Sequence, residues 1–185
     1  ADDDDDTVPQ DDTIQEIQQG QMADGASVQL DGVVVTTPIA YTPRGFFVQE
    51  PVYATQAQYS GIWIYVPTAG MADDLVGVVT ADALVNIRGT YTEYLGLSEI
   101  EISSAADVVA AGSHELLPAV VAACAVGTGG VDQEVYEGVL VRVEHVQVTD
   151  ENPDAPDDDW GEFEVDDCLR VDDMFHHSEP DLGDQ

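Results

Sequence analysis

The stretch "GIWIYVPTAGMADDLVGVVTADALVNIRGTYTEYLGLSEIEI", residues 61–102, decides the fold, because it holds three strand patterns and one helical connection in a fixed order. It opens with "GIWIYVP", a run of β-branched and aromatic residues bounded by Gly and Pro, which is typical of a strand. A short connecting segment follows from "MADDL". The remainder predicts a hairpin with its turn near Leu95 and Gly96.

Two further strands are predicted before this stretch. "SVQLDGVVVTTPI", residues 27–39, alternates and is rich in β-branched residues, with Gly32 as a bulge or a point of close approach. "RGFFVQEP", residues 44–51, predicts the next strand. Upstream, Thr13 and Glu16 have capping-box spacing and predict a short helix. Five strands with a helical connection between the third and fourth predict an all-β fold that begins with a small, closed five-stranded barrel.

The second half of the sequence echoes the first. "EGVLVRVEHVQV" (residues 137–148) resembles "DGVVVTTPI", "WGEFEVDD" (160–167) resembles "RGFFVQEP", and "CLRVDD" (168–173) takes the place of "GIWIYV". The order and approximate spacing are kept, which indicates a repeated unit. Because the sequence stops where a fourth strand is due, we expect a second, incomplete OB-like β unit with open sheet edges.

The chain is therefore predicted to contain four parts. These are an acidic N-terminal arm (1–12), an OB-fold domain (13–112), a connection (113–136) and a partial second OB-like unit with an acidic C-terminal tail (137–185). The connection is built largely from small residues, in "LLPAVVAACAVGTGG".

The first half, through "TIQEIQQGQMADGASVQLDGVVVT", "RGFFVQEP", "GIWIYV" and "VNIRGTYTEYLGLSEIEI", resembles the OB-fold modules of secreted bacterial proteins and lipoproteins. Such modules are common in myxobacteria-like predators and are sometimes found beside extracellular nucleases. "YEGVLVRVEHVQVTDENPDAPDDDWGEFEVDDCLRVDDMF" is similar to their second module, which there continues for two further strands. The resemblance implies a fold and no particular activity, because an OB barrel hosts many unrelated functions.

Charge excludes two classes of partner. The sequence has 38 Asp and Glu against four Arg and no Lys, a formal net charge of -34. Nucleic-acid binding depends on Lys and Arg that displace counterions, so we expect no nucleic-acid partner. Anionic membrane surfaces are excluded for the same reason, and no apolar stretch is long enough to predict membrane insertion. Repulsion between so many carboxylates must be offset by salt or by bound divalent cations.

Catalytic motifs are absent from the sequence, and we expect a protein that is not an enzyme. The segment "GLSEI" around Ser98 lacks the second glycine of a nucleophile elbow, and there is no phosphate-binding loop. Lysine chemistry is excluded by composition. The aromatic residues of the predicted strands alternate with apolar residues and are interpreted as core positions: Phe46, Phe47, Trp63, Tyr65 and Tyr91.

The acidic stretch "DENPDAPDDD", residues 150–159, predicts a calcium site. Asp150, Asn152 and Asp154 match the first three ligand positions of an EF-hand loop, although Ala155 and Glu162 break the rest of that pattern. Calcium bound in another geometry is the prediction, and a solvated acidic face suited to salty water is the alternative. The candidate ligands in this loop are Asp150, Asn152, Asp154, Asp157, Asp158 and Asp159.

A second candidate calcium site consists of two acidic pairs that flank a short predicted strand, Asp166 with Asp167 and Asp172 with Asp173. The N-terminal arm supplies the last set of candidate ligands, namely Asp2, Asp3, Asp4, Asp5 and Asp6. Ca²⁺ is the cofactor expected at all three places, because carboxylate oxygens are the ligands that it prefers.

Cys124 and Cys168 are the two cysteines of the sequence and are expected to form a disulfide. An intrachain bond would tie the connection to the second unit, and an interchain bond would lock two subunits together; we favour the first. A disulfide is typical of an oxidising compartment. Ala1 followed by an acidic run also has the form of a mature protein after cleavage, so we expect a secreted protein, extracellular or at the cell surface.

Together these features predict an extracellular structural protein that assembles with copies of itself into a filament or a surface layer. Its N-terminal arm and open sheet edges would make the contacts, and calcium would stabilise them. The alternative is a monomeric ligand-binding or accessory OB module of a larger secreted protein, without nucleic-acid affinity.

Overall fold

The structure is a computed structural model that describes residues 12–156, 158–176 and 180–184, and in them the chain is mostly β. The predicted all-β class is confirmed. The helices are α1 (Ile14–Gln18), α2 (Ala69–Leu75) and α3 (Ala123–Val126). The strands are β1 (Ser27–Val35), β2 (Ala40–Tyr41), β3 (Arg44–Gln49), β4 (Gly61–Tyr65), β5 (Ala83–Tyr94), β6 (Leu97–Glu101), β7 (Val108–Ser113), β8 (Ala119–Val120), β9 (Val141–Arg142), β10 (Val148–Asp150), β11 (Glu162–Val165) and β12 (Leu169–Asp172).

Five of the strands form a closed ring in the order β1, β3, β4, β6, β5 and back to β1. The β4–β6 pair is parallel, and the other pairs in the ring are antiparallel. The helix α2 lies between β4 and β5 in the chain. Strand number, closure and helix position agree with the small closed barrel predicted for the first unit. Outside the ring, β2 pairs with β3, and β7 pairs with β5.

Local signals in the sequence account for several boundaries of the barrel. The predicted capping box is present at α1, where the Thr13 hydroxyl accepts from the Glu16 N–H and the Glu16 side chain accepts from the Thr13 N–H. The β1–β5 register shifts between Leu30 and Val33, which confirms a bulge beside Gly32. Leu95, at a φ of 54°, turns the β5–β6 hairpin together with Gly96, as predicted.

The main core fills the barrel with the inward side chains of its strands. Phe46, Ile64, Ile87 and Ile100 come from four different strands and are fully buried. The helix α1 adds two buried isoleucines to this core, and α2 adds Ala72 and Leu75. Burial of this apolar surface is the main favourable term in folding the barrel.

The aromatic residues of the strands do not all lie in this core. Phe46 and Tyr91 do, but Phe47, Trp63 and Tyr65 lie outside the barrel cluster. The prediction of core positions was wrong for Phe47 and Tyr65, which are only half-buried because β-strand side chains alternate between the two faces of a sheet. Trp63 is nevertheless only 3% exposed. Its ring packs edge-on against Phe47, with ring centroids 4.7 Å apart.

In the second half of the chain, the predicted strands at 160–167 and 168–173 are confirmed as β11 and β12. They form a three-stranded antiparallel sheet in the order β10, β11, β12. The predicted continuous strand over residues 137–148 is wrong. Its middle forms β9, which pairs in parallel with β8, and the chain then turns at His145, with a φ of 60°, to enter β10. The two short strands β9 and β10 therefore belong to different sheets.

The barrel is joined to the second half through residues 135–140, which we call the junction. The buried Gln49 side chain accepts a hydrogen bond from the Leu140 N–H at 2.8 Å. The Val135 carbonyl accepts from the Tyr59 N–H at 2.7 Å. Gly61 and Gly138 pass so closely that a Cβ on Gly61 would overlap the Gly138 carbonyl. Glycine is required there because the two backbones are in direct contact.

Cys124 and Cys168 form an intrachain disulfide with Cα atoms 5.1 Å apart, as predicted. It joins α3 to the turn before β12. The outer edge of β10, expected to be open, is bonded to the chain's own end. Val148 donates to the Asp184 carbonyl and accepts from the Gly183 N–H, both at 3.0 Å. One edge of the second unit is therefore covered without a second subunit.

Candidate functional site

The acidic loop after β10 uses its predicted calcium ligands to cap backbone turns. The Asp150 carboxylate accepts from the Asn152 N–H at 3.0 Å, and the Asn152 side chain accepts from the Asp154 N–H at 3.1 Å. The Asn152 amide also donates to the Asp158 carbonyl at 3.2 Å. These are local side-chain bonds of the kind that Asp and Asn make in turns. The alternating acids thus stabilise the loop itself.

An arginine fixes this loop to the three-stranded sheet. Arg170 of β12 donates from Nη2 to Asp154 at 2.6 Å and from Nε to Glu162 at 2.9 Å. The other carboxylate oxygen of Asp154 is buried, with no hydrogen-bond partner in the described residues. A buried acceptor without a partner costs free energy, so this oxygen is the atom of the loop best placed to accept a cation.

The remaining candidate ligands are dispersed. Asp166 accepts from the Gln147 N–H at 3.0 Å, and Asp172 accepts from the Met174 N–H at 2.8 Å. Asp159 accepts from the Gly161 N–H at 3.1 Å. Asp167 lies in the β11–β12 turn, and Asp173 follows β12.

Across the described residues, no three or more His, Cys, Asp or Glu side chains are grouped so that they could hold a metal ion. Asp157 and Asp2 to Asp6 lie outside the described residues. The candidate ligands that the structure describes therefore do not form a preformed calcium cage within one chain.

The strand β7 forms a sheet edge of unusual composition for this chain. It reads "VVAAGS", without a charged residue, and all of it except Val108 is exposed. One side pairs with β5, and the other side has no strand partner among the described residues. The register with β5 shifts at Leu84 and Val85, so Ala111 is the extra residue of a bulge. Sequence analysis missed this strand, although its paired valines are a recognisable signal.

The low charge extends beyond the strand. Between Asp107 and Asp132 the sequence has a single charged residue, Glu115, whereas the whole chain has 38 acidic residues. We call residues 108–131 the low-charge segment. Large apolar side chains within it are more than half exposed, namely Val109, Leu117, Val120 and Val131. Within this segment, β7 is the part that also presents a free strand edge among the described residues.

A second feature is a concave surface on the outside of the barrel, about 580 Å³ in volume. Trp63 and Tyr65 from β4 line it, together with Phe47 from β3 and Glu99 from β6. We call it the aromatic cleft. Sequence analysis placed its aromatic residues in the core, since alternation alone does not tell which face of a strand is covered.

Comparisons with known proteins find no matching family model, and no curated protein or solved structure is significantly similar to the chain. The resemblance to secreted OB-fold modules thus stays an interpretation of the strand patterns. No helix in the described part of the chain is long and apolar enough to cross a membrane.

Proposed function

We propose that this protein is an extracellular structural protein that assembles with copies of itself into a filament or a surface layer, with β7 as the receiving edge. The observation that carries the proposal is the uncharged, exposed edge of β7, which has no strand partner among the described residues, in a molecule of net charge -34. Natural proteins usually protect such edges with charged residues, proline or a covering element. Among the described residues, the bulge at Ala111 is the only such protective feature of this edge.

Electrostatics favours this edge over the rest of the surface. Two carboxylates at 4 Å repel by about 1 kcal/mol in water, and by several times more in a medium of lower dielectric. Contact between two acidic faces would bring many such pairs together. Contact through the low-charge segment avoids most of them, because Glu115 is its only charged residue.

A filament requires a head-to-tail contact, in which the edge receives a different segment of the next copy. The N-terminal arm is the segment we assign to this role, and strand addition to β7 is the mode of contact. A symmetrical contact between two β7 strands would close into a dimer and stop there.

Calcium enters the proposal as an ion shared between copies. The described residues of one chain form no group of three potential ligands, and in the proposed contact oxygens from a neighbour complete the coordination sphere. Asp154, with one unpaired buried oxygen, and the arm residues Asp2 to Asp6 are the ligands we assign to such shared sites.

The extracellular location is supported by the Cys124–Cys168 disulfide, since disulfides persist in oxidising compartments. The second candidate function is a monomeric ligand-binding module. The aromatic cleft favours it, because concave sites with apolar walls and a few polar groups are where small ligands bind.

The test is sedimentation velocity of the full chain in calcium. The Val109→Asp variant places a carboxylate on the β7 edge and is expected to abolish the large species. Val76→Asp is the matched control, because Val76 and Val109 are exposed to 55% and 54% and only the first lies outside β7. If both variants lose assembly to the same extent, or if neither variant loses it, the proposal that β7 makes the contact is contradicted.

A further inference from the structure

The aromatic cleft is built from both halves of the chain. Strands β3, β4 and β6 form its floor through Phe47, Trp63 and Glu99, and Met174, which follows β12, lines one side. Phe175 packs edge-on against Phe47, with ring centroids 6.3 Å apart. The segment after β12 therefore forms a wall over the outer face of the barrel.

Glu99 is the buried polar group of this cleft. Its register partners are Trp63 on β4 and Thr92 on β5. The residue is only 8% exposed, and no hydrogen bond or ion pair joins its carboxylate to another described residue. Burial raises its pKa, and the neighbouring Glu101 raises it further. Glu101 also lines the cleft and is exposed at its mouth.

A buried carboxylate is unfavourable without a proton or a positively charged partner, and a cationic ligand in the cleft would supply such a partner. Two carboxylates are too few for calcium, which takes six to eight oxygen ligands. Aromatic walls instead favour an organic cation, because ammonium and guanidinium groups are attracted to the faces of Trp and Tyr rings. Guanidinium fits best, since it can stack on a ring and donate two hydrogen bonds to one carboxylate.

We propose that the aromatic cleft binds a basic side chain of a peptide, arginine above all, with its guanidinium against Glu99 and its stem along the aromatic wall. Glu101 completes the site at the mouth. This proposal names the class of ligand for the second candidate function, the monomeric ligand-binding module. It does not depend on assembly through β7, and either proposal can fail while the other stands.

The experiment uses Nα-acetyl-arginine methylamide as the probe and Trp63 fluorescence as the signal. The other tryptophan, Trp160, is 69% exposed and is replaced by Phe to leave one reporter. The neutral probe is the citrulline analogue, which has the same shape without the charge. Glu99→Gln tests the buried carboxylate. Glu101→Gln tests the exposed carboxylate that also lines the cleft. Glu115→Gln, exposed and outside the cleft, removes the same charge and is the matched control.

The proposal predicts saturable quenching by the arginine probe and none by the citrulline probe. Glu99→Gln should weaken binding by about tenfold or more, the usual effect of losing a hydrogen bond to a charged group, and Glu115→Gln should leave it unchanged. Glu101→Gln should weaken it by a smaller factor. If both probes bind alike, if neither binds at millimolar concentration, or if Glu115→Gln weakens binding as much as the cleft variants, the proposal is overturned.

Discussion

Among the described residues, three glutamates have raised pKa values, and burial is the main cause in each case. Glu50 accepts a hydrogen bond from the Ile14 N–H at 2.7 Å, and Glu137 accepts one from the Ser98 N–H at 3.2 Å. Glu99 lies in the aromatic cleft. Loss of water raises all three pKa values, and the backbone hydrogen bonds only partly oppose it at Glu50 and Glu137. The folded chain therefore holds these protons more tightly than the unfolded chain does.

Mild acid should stabilise the protein for this reason. A raised carboxyl pKa contributes stability that is complete below the unfolded pKa and is lost as the pH rises through the folded pKa. We expect the melting temperature to rise between about pH 7 and about pH 5, and to rise less in Glu137→Gln. Thermal unfolding followed by circular dichroism measures both, with Glu115→Gln as the exposed control. A melting temperature that falls across this window would contradict the assignment.

The buried Gln49 side chain connects the barrel to the junction by a part-buried hydrogen bond. Gln49→Leu leaves the Leu140 N–H without its acceptor, so we expect the free energy of unfolding to fall by about 1–3 kcal/mol. Urea unfolding measures the change. Gln21→Leu makes the same substitution at an exposed position and should change little. Equal stability of the Gln49 variant and the wild type would show that the junction does not depend on this bond.

At the residue scale, local chemistry was predictable and long-range burial was not. The capping box at Thr13 and the bulge beside Gly32 depend on neighbours in sequence, and both were predicted. The burial of Glu99 depends on the β4–β6 register and on a wall contributed by Met174, far along the chain. A single sequence does not show which distant residues will lie next to Glu99.

At the element scale, the barrel strands were predictable from local patterns, whereas the strand pairing in the second half of the chain depends on distant residues and was not. Barrel strands are long and have clear patterns, so their order was predicted. The pattern over residues 137–148 is equally strand-like, yet it splits because β9 pairs with β8 while β10 joins another sheet. In the described part of the acidic loop, Asp150 and Asn152 accept hydrogen bonds within turns, and calcium binding stays a prediction.

The disulfide should stabilise the second half more than the barrel. It spans a sequence separation of 44 residues, and closing a loop of that length stabilises by roughly 4 kcal/mol in the chain-entropy model. In the Cys124→Ser, Cys168→Ser double variant we expect faster amide hydrogen exchange in β10 to β12. The strands β1, β3 and β4 should keep their protection and serve as the internal control. Equal acceleration in both regions would mean that the two halves unfold together.

At the scale of the whole molecule, the net charge of -34 opposes compactness. Ionic screening and specific ion binding both weaken this charge repulsion. Screening depends on the ionic strength, whereas specific binding depends on which ion is present. At 1 M ionic strength the Debye length is about 3 Å, so any salt should raise the melting temperature. If calcium binds specifically, CaCl₂ should raise it further than NaCl at equal ionic strength. Identical curves for the two salts would favour the bare acidic face over bound calcium.

The central claim is self-assembly, and negative-stain electron microscopy of the full chain tests it most directly. In millimolar calcium we predict filaments or ordered sheets, which disperse when EDTA is added and return with excess calcium. A monodisperse monomer in millimolar calcium would contradict the account.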